Sequence, residues 1–187
     1  METGKRILKI MVQVVALTII LCLGLQISLG QEGPKEELNP VEFKAALLSK
    51  IPAYIWWPKK TWSHSDDKLV IGILGQDEVA PLLEKLVQGN KVLGHEVVVK
   101  TFADSKSIDG CQILFVPAKS LAAWESASKN KSHPGMLTVG ESEEFTKLGG
   151  AFNLRVNDRK LVINRTNAAK AGLEINSKLL KISIVEK

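Results

Sequence analysis

Few side chains in this sequence could do chemistry, and their spacing argues against a catalytic or metal site. His64, His95 and His133 are far apart, and none has the four-residue spacing or the Cys-x-x-Cys partner of common metal sites. The acid pairs Asp66-Asp67 and Glu143-Glu144 are direct neighbours, whose side chains point apart on a regular element. The sequence therefore predicts no metal, no cofactor and no enzymatic activity.

Cys111 is the second reactive group to consider. The chain has two cysteines, and the other, Cys22, lies in an N-terminal apolar run. A lone cysteine cannot form an intrachain disulfide. Because Cys111 directly precedes the apolar segment QILFVP and no histidine is near it in sequence, we expect a buried apolar side chain rather than a nucleophile. Pairing between two chains is the alternative.

The aromatic segment Tyr54-Ile55-Trp56-Trp57-Pro58 holds two of the four tryptophans. Adjacent side chains cannot share one face of a helix or a strand, so one indole can be core while the other is exposed. Exposed tryptophan is enriched at binding hot spots. We therefore predict a partner-binding surface at Tyr54, Trp56 and Trp57, with the alternative that both indoles cover the edge of the core.

The N-terminus has the layout of a secretory signal. Basic residues, among them Lys5 and Arg6, precede an apolar run from Ile10 to about Leu25. Ser28 and Gly30 then supply small residues at the positions that signal peptidase requires. An acylated Cys22 is disfavoured because the bulky Leu21 precedes it, whereas an uncleaved membrane anchor stays an alternative.

The expected organisation is a signal peptide over residues 1–30, a flexible mature N-terminus over 31–39 and a single α/β domain over 40–187. The domain is therefore expected to be exported, with no membrane span once the signal is cleaved. The formal charge of +5 is modest and is partly in the signal. Because no stretch interleaves basic and aromatic residues as a base-stacking surface does, we expect no nucleic-acid partner.

Strands and helices alternate through the first two thirds of the chain. Apolar runs predict strands at Lys68–Leu74, Val97–Val99, Gln112–Val116 and Met136–Val139. Apolar spacing and capping residues predict helices at Pro40–Lys50, Asp77–Val87, Ser120–Ser128 and Glu141–Leu148. In the first helix, Phe43, Ala46, Leu47 and Ile51 recur at helical spacing.

The last third of the sequence predicts a hairpin. The alternating segments Ala151–Val156 and Lys160–Ile163 are joined by Asn157-Asp158. A short helix should end at Gly172, which suits a left-handed C-cap. The fold class is therefore α/β, with a mixed, mostly parallel sheet flanked by helices as a three-layer sandwich and a C-terminal antiparallel hairpin.

Several segments together resemble the YfiR-like family of bacterial periplasmic regulators. They keep the family's order and spacing from about residue 41 to 182, and they read FKAALL followed by WP, GCQILFV, LTVGES followed by F and GGAFNL, and IN followed by AAKAGLEINSKLL. The resemblance implies an exported α/β protein.

In the characterised kind of this family, the protein represses an inner-membrane diguanylate cyclase, and an outer-membrane lipoprotein relieves that repression. The resemblance therefore implies a regulator of cyclic di-GMP signalling whose partner is the periplasmic part of a membrane signalling enzyme, or a second copy of itself. A periplasmic small-ligand-binding protein, with its pocket at the carboxyl ends of the strands, is the alternative function.

This chain departs from the family at three residues. Cysteines take part in the family's redox regulation, but here only Cys111 is available, so disulfide control within one chain is not possible. Asn153 and Arg155 place polar groups where the family tends to have apolar ones. These differences bear on which partner and which signal this chain uses.

Overall fold

The computed structural model describes residues 39–105, 108–128 and 133–186. The predicted signal peptide over 1–30 and the mature N-terminus up to residue 38 lie outside the described residues. In the part that is described, no helix is both long and apolar enough to cross a membrane.

The elements follow the predicted alternation. The helices are α1 (Pro40–Lys50), α2 (Val79–Val87), α3 (Leu121–Ser128), α4 (Arg165–Lys170) and α5 (Ser177–Lys181). The strands are β1 (Ile55–Trp56), β2 (Leu69–Leu74), β3 (Lys91–Val92), β4 (His95–Phe102), β5 (Ile113–Val116), β6 (Leu137–Gly140), β7 (Phe152–Arg155), β8 (Lys160–Asn164), β9 (Glu174–Ile175) and β10 (Ile184–Glu186). Short 3₁₀ turns cover Ile51–Tyr54, Lys59–Thr61 and Ala118–Ser120.

Eight of these strands form one sheet in the order β10-β8-β7-β6-β5-β2-β4-β3. Strands β7, β6, β5, β2 and β4 run parallel to their neighbours within that group, and β10 is parallel to β8. The pairs β7–β8 and β3–β4 are antiparallel. The predicted mixed, mostly parallel sheet and the hairpin of β7 and β8 are thus confirmed.

The sheet is covered on both faces, as strand β2 illustrates. Leu69, Ile71 and Ile73 point into the larger apolar cluster, to which α1 and α2 contribute. Val70 and Leu74 point into a smaller cluster on the opposite face, which contains a tryptophan of α3. Because successive strand residues face opposite sides, a fully apolar strand needs this double cover. The three-layer α/β sandwich is confirmed.

Helix α1 starts as predicted but buries another face. Asn39 and Glu42 form a capping box, with reciprocal hydrogen bonds of 2.9 and 3.0 Å, and Pro40 begins the helix. The helical spacing of Phe43, Ala46, Leu47 and Ile51 correctly predicted this helix, but of these four only Ile51 is buried, and the other three are half-buried.

The residues of α1 that are buried are Lys44, Ala45 and Leu48. The helix is thus rotated by about one position from the apolar pattern. The physical reason is a lysine that finds carboxylate partners inside the protein, which no hydrophobic pattern can register.

The predicted helix over Glu141–Leu148 was also wrong, because this segment is a series of turns. Its backbone bonds do not repeat: Phe145 N–H donates to Ser142, Leu148 N–H to Glu144, and Gly150 N–H to Phe145. Phe145 is fully buried in the smaller cluster. The chain curls around this ring rather than around a helix axis, so packing outweighs local helix propensity.

Candidate functional site

The predicted aromatic surface is built on a ribbon of two short strands. Strand β1 pairs with β9 in antiparallel fashion, with Ile55 opposite Ile175 and Trp56 opposite Glu174. Ile55 is 2% exposed in the core, whereas Trp56 is 64% exposed. Because side chains alternate along a strand, the anchoring of Ile55 turns the indole of Trp56 outward.

The chain before the ribbon is held on both sides. Ile51 and Pro52 are buried in the 3₁₀ turn that follows α1. The backbone N–H of Asn176 donates to the carbonyl of Tyr54 at 2.9 Å, and Tyr54 keeps an exposed side chain. The aromatic surface, defined here as Tyr54 and Trp56, is therefore fixed by two segments that are far apart in sequence.

Trp57 faces the other way. Its ring is half-buried against the larger cluster and meets Trp62 edge to face, with 5.9 Å between ring centroids. Trp62 stacks in turn on His95 at 4.4 Å, and His95 Nδ1 lies 2.6 Å from the carbonyl oxygen of Asp67. Thus the structure brings Tyr54 and Trp56 to the surface and places the half-buried Trp57 in an aromatic stack.

Exposed lysines accompany the aromatic surface. Lys50 ends α1, and Lys59 and Lys60 follow Pro58, which touches Gly172 just before β9. Lys178 lies in the first turn of α5, two positions after the residue bonded to Tyr54. Exposed lysines thus flank the two exposed aromatic rings along the chain, and Lys60 also lines a cavity with Asp109.

A second location in the fold could hold a ligand, namely the carboxyl edge of the parallel strands. Strands β2 and β5 are neighbours, but α2 after β2 packs on one face and α3 after β5 on the other. Such a switch point opens a crevice in which open α/β sheets bind their ligands. This is where the alternative function of a small-ligand-binding protein would place its pocket.

A buried ion cluster spans this edge. Lys44 Nζ reaches from α1 to lie 3.3 Å from Asp77 Oδ1 and 3.1 Å from Glu141 Oε2, and 5.6 Å from the ring centroid of Phe115. Asp77 follows β2, and Glu141 follows β6. All three charged side chains are mostly buried.

The carboxylates of this cluster have backbone partners as well. Asp77 Oδ1 accepts a hydrogen bond from the N–H of Val79 at 3.0 Å, and Glu141 Oε1 accepts one from the N–H of Ala118 at 2.9 Å. The cluster thus ties α1 to the ends of three central strands. Within this cluster the ammonium of Lys44 already faces two carboxylates, so it offers no unpaired charge to an anionic ligand.

Sequence reasoning missed this cluster, although a signal existed. Lys44 stands four positions before Leu48 and seven before Ile51, which is the spacing of one helix face. A lysine within such an apolar stripe indicates a buried charge that requires acidic partners. The sequence could not tell which of its acids those are.

Cys111 is buried as predicted, with 4% of its surface exposed. Its thiol donates to the carbonyl of Ile108 at 3.2 Å. Burial raises the pKa of the Cys111 thiol from its ordinary value near 9.0 to about 12. The group therefore stays protonated at neutral pH and lacks the thiolate character of a nucleophile or redox sensor.

The two polar residues of β7 behave differently. Asn153 is 3% exposed, and its Oδ1 has no hydrogen-bond partner within the described ranges. Arg155 is exposed and pairs with Asp158 in the hairpin loop at 2.7 Å. Across residues 39–105, 108–128 and 133–186, no group of His, Cys, Asp and Glu side chains is arranged to hold a metal ion.

Comparison with families of known proteins identifies a match. A family model described as YfiR/HmsC-like matches residues 41–184, which includes nearly all the residues that the structure describes. No curated protein matches the chain.

Proposed function

The chain belongs to the YfiR/HmsC-like family, and on that premise we propose that it is an exported periplasmic regulator that acts by binding another protein. The single observation that carries this proposal is the exposed indole of Trp56, held outward by the pairing of β1 with β9. A large apolar ring on a rigid support is the usual form of a binding anchor.

The partner in this proposal is the periplasmic part of a membrane signalling enzyme, such as a diguanylate cyclase, which the chain would repress. The family resemblance supports this choice, and so does the expected secretory signal over residues 1–30. A second copy of the chain could also cover Trp56, which would make the regulator a homodimer.

Regulation by contact fits the other features of the structure better than ligand binding does. The switch-point edge, where a small ligand would be expected, is spanned by Lys44 with Asp77 and Glu141. The buried Cys111 thiol has a raised pKa, which makes it a poor nucleophile. We therefore favour a binding function over the small-ligand alternative and over catalysis.

Deletion and complementation in the source organism would test the proposal. We expect deletion of the gene to raise the cellular level of cyclic di-GMP. Complementation with the wild-type gene should return that level to the wild-type value. The Trp56→Ala variant, present in the periplasm at the same level as the wild type, should fail to return cyclic di-GMP to the wild-type value. Leu86→Ala, which trims an exposed apolar side chain on α2, should restore it fully. No change of cyclic di-GMP on deletion would contradict repression of a diguanylate cyclase.

A further inference from the structure

We propose that the partner surface that receives Trp56 is acidic, because the aromatic surface has a basic rim of four exposed lysines. The rim consists of Lys50, Lys59, Lys60 and Lys178. This inference rests on the proposed function, since it names the chemistry of the partner for the same surface.

The local sequence is one-sided in charge. From Phe43 to Ser65 the chain contains lysines and no acid. Three of those lysines, Lys50, Lys59 and Lys60, are exposed and flank the aromatic residues on both sides along the chain. A run of one sign beside a binding anchor creates a local potential that favours an oppositely charged partner.

The fold adds a lysine from a distant part of the chain. The hydrogen bond from Asn176 N–H to Tyr54 brings the start of α5 against the 3₁₀ turn. Lys178 stands in that first turn and is exposed. Among the acids of the described residues, Glu174 lies opposite Trp56 in the ribbon, and Asp109 lines a cavity together with Lys60.

The rim lysines are not neutralised within the described residues. None of the four has a carboxylate oxygen within ion-pairing distance there. They share this with other exposed lysines such as Lys85 and Lys91, whereas Lys68 pairs with Glu96 at 3.2 Å and Lys147 with Glu144 at 3.2 Å. Surface ion pairs contribute little free energy, so the absence of ion pairs at the rim does not by itself select a partner. The unpaired lysines next to the exposed aromatic rings do favour an acidic partner, because protein interfaces combine an apolar anchor with a charged rim.

An acidic protein fits this surface better than an anionic lipid bilayer. Binding at a bilayer surface requires a broad apolar face, such as that of an amphipathic helix. Here Ile55 is buried and Ile175 packs against the core, so the ribbon projects one large indole. Two exposed rings, Tyr54 and Trp56, flanked by lysines along the chain match a pocket with an acidic border.

Vesicle binding by the purified mature protein would test the inference. The probes are membrane vesicles with the periplasmic face outward, prepared from a strain lacking the gene, and protein-free vesicles made from their extracted lipids. We expect binding to the first and not to the second. Raising the salt from about 50 to about 300 mM should weaken binding about tenfold or more, because screening acts on rim charges.

Charge variants give the sign of the effect. The double variant Lys59→Glu with Lys60→Glu should weaken binding at least about tenfold, and the arginine double variant should bind as the wild type does. Glu174→Gln should bind more tightly at low salt. The matched control, Lys85→Glu with Lys91→Glu on α2 and β3, changes the net charge equally and should bind normally. Melting curves verify that each variant is folded.

The outcomes separate the two proposals. Salt-independent binding, or equal loss in the rim and control variants, would overturn the acidic surface and leave a protein partner in place. Equal binding to protein-free vesicles would show that lipid is the target and would overturn the inference. Absence of binding to the protein-containing vesicles would contradict the membrane partner itself.

Discussion

The ammonium of Lys44 in α1 lies 3.1 Å from a carboxylate oxygen of Glu141, which follows the central strand β6. Asp77 lies 3.3 Å from the same ammonium. Because all three groups are mostly buried, removing the cation would leave two carboxylates inside the protein without a counter-charge. Lys44→Met should therefore reduce the free energy of unfolding by about 3–5 kcal/mol, as measured by urea denaturation at neutral pH.

Lys68→Met is the matched control, because Lys68 pairs with Glu96 at the surface. We expect it to cost less than about 1 kcal/mol. Neutralising the acids together with the lysine, by Lys44→Met with Asp77→Asn and Glu141→Gln, should recover part of the lost stability. Equal costs for Lys44→Met and Lys68→Met would show that the buried cluster adds nothing specific.

Phe145 is packed against two glycines so closely that neither can gain a side chain. A Cβ at Gly140 would overlap Cγ of Phe145, and one at Gly150 would overlap its Cδ1. Gly140→Ala should therefore cost about 2–3 kcal/mol of stability through overpacking. Combined with Phe145→Leu, it should cost less than the sum of the two single changes.

The control for this cycle is Gly89→Ala. Gly89 has φ +73° and no atom within 4 Å of a built Cβ, so its cost of about 1 kcal/mol comes from the backbone alone. That cost should not change when Phe145 is replaced by Leu. Additive free energies of unfolding for Gly140→Ala and Phe145→Leu would contradict the close contact.

The raised pKa of Cys111 makes stability fall in alkaline solution. Its pKa is about 12 in the folded protein, against an ordinary value near 9.0. Above pH 9 the unfolded chain releases the thiol proton while the folded protein keeps it, so each further pH unit up to about 12 favours unfolding by about 1.4 kcal/mol.

Cys111→Ala isolates this effect, because all other titrating groups remain. Between pH 8 and pH 10 the wild type should lose about 1.4 kcal/mol more stability than the variant does. At pH 8 the folded wild type should also resist a thiol reagent that modifies the urea-unfolded chain. Parallel stability curves for the two proteins, or rapid labelling of the folded one, would show that the thiol is not held in its protonated form.

Trp56 and Trp57 should respond differently to truncation. Trp56 is largely exposed, so Trp56→Ala should change stability by less than about 0.5 kcal/mol. Trp57 packs on the core and on Trp62, so Trp57→Ala should cost about 2–3 kcal/mol. Melting curves measure both values.

For partner binding we expect the opposite order, with Trp56→Ala having the larger effect. Trp56→Ala should weaken association at least about thirtyfold, which corresponds to the loss of more than about 2 kcal/mol typical of a tryptophan anchor. Sedimentation with the outward-facing membrane vesicles described above would measure it. If Trp56→Ala binds as the wild type does, the aromatic surface has no role in recognition.

Sequence patterns of a few neighbouring residues were enough to predict the central strands, the hairpin and the helix C-cap. The apolar run at Leu69–Leu74 is continuous because both of its faces are covered, and this alone predicts a central strand. The sequence also predicted the hairpin that begins at Phe152 and the left-handed conformation of Gly172, which has φ +76°. Cys111 was correctly expected to be buried, since it adjoins a core strand.

The features that sequence reasoning missed all depend on distant partners. The charge of Lys44 is tolerated only because Asp77 and Glu141 meet it across the sheet. The turns around Phe145 depend on space provided by Gly140 and Gly150. The pairing of β1 with β9 decides that Trp56 is exposed rather than Trp57, and this pairing cannot be predicted from neighbouring residues in the sequence.

The β1–β9 ribbon also sets when the aromatic surface can form during synthesis. Trp56 is oriented by Glu174 and its neighbours, which are separated from it by most of the domain. Closing so long a loop is favourable only after the intervening strands have assembled. A chain that stalls or is truncated before β9 would carry both tryptophans without presenting Trp56 correctly. Recognition through this surface would then require a chain made at least through β9, so copies truncated before β9 would not compete for the partner.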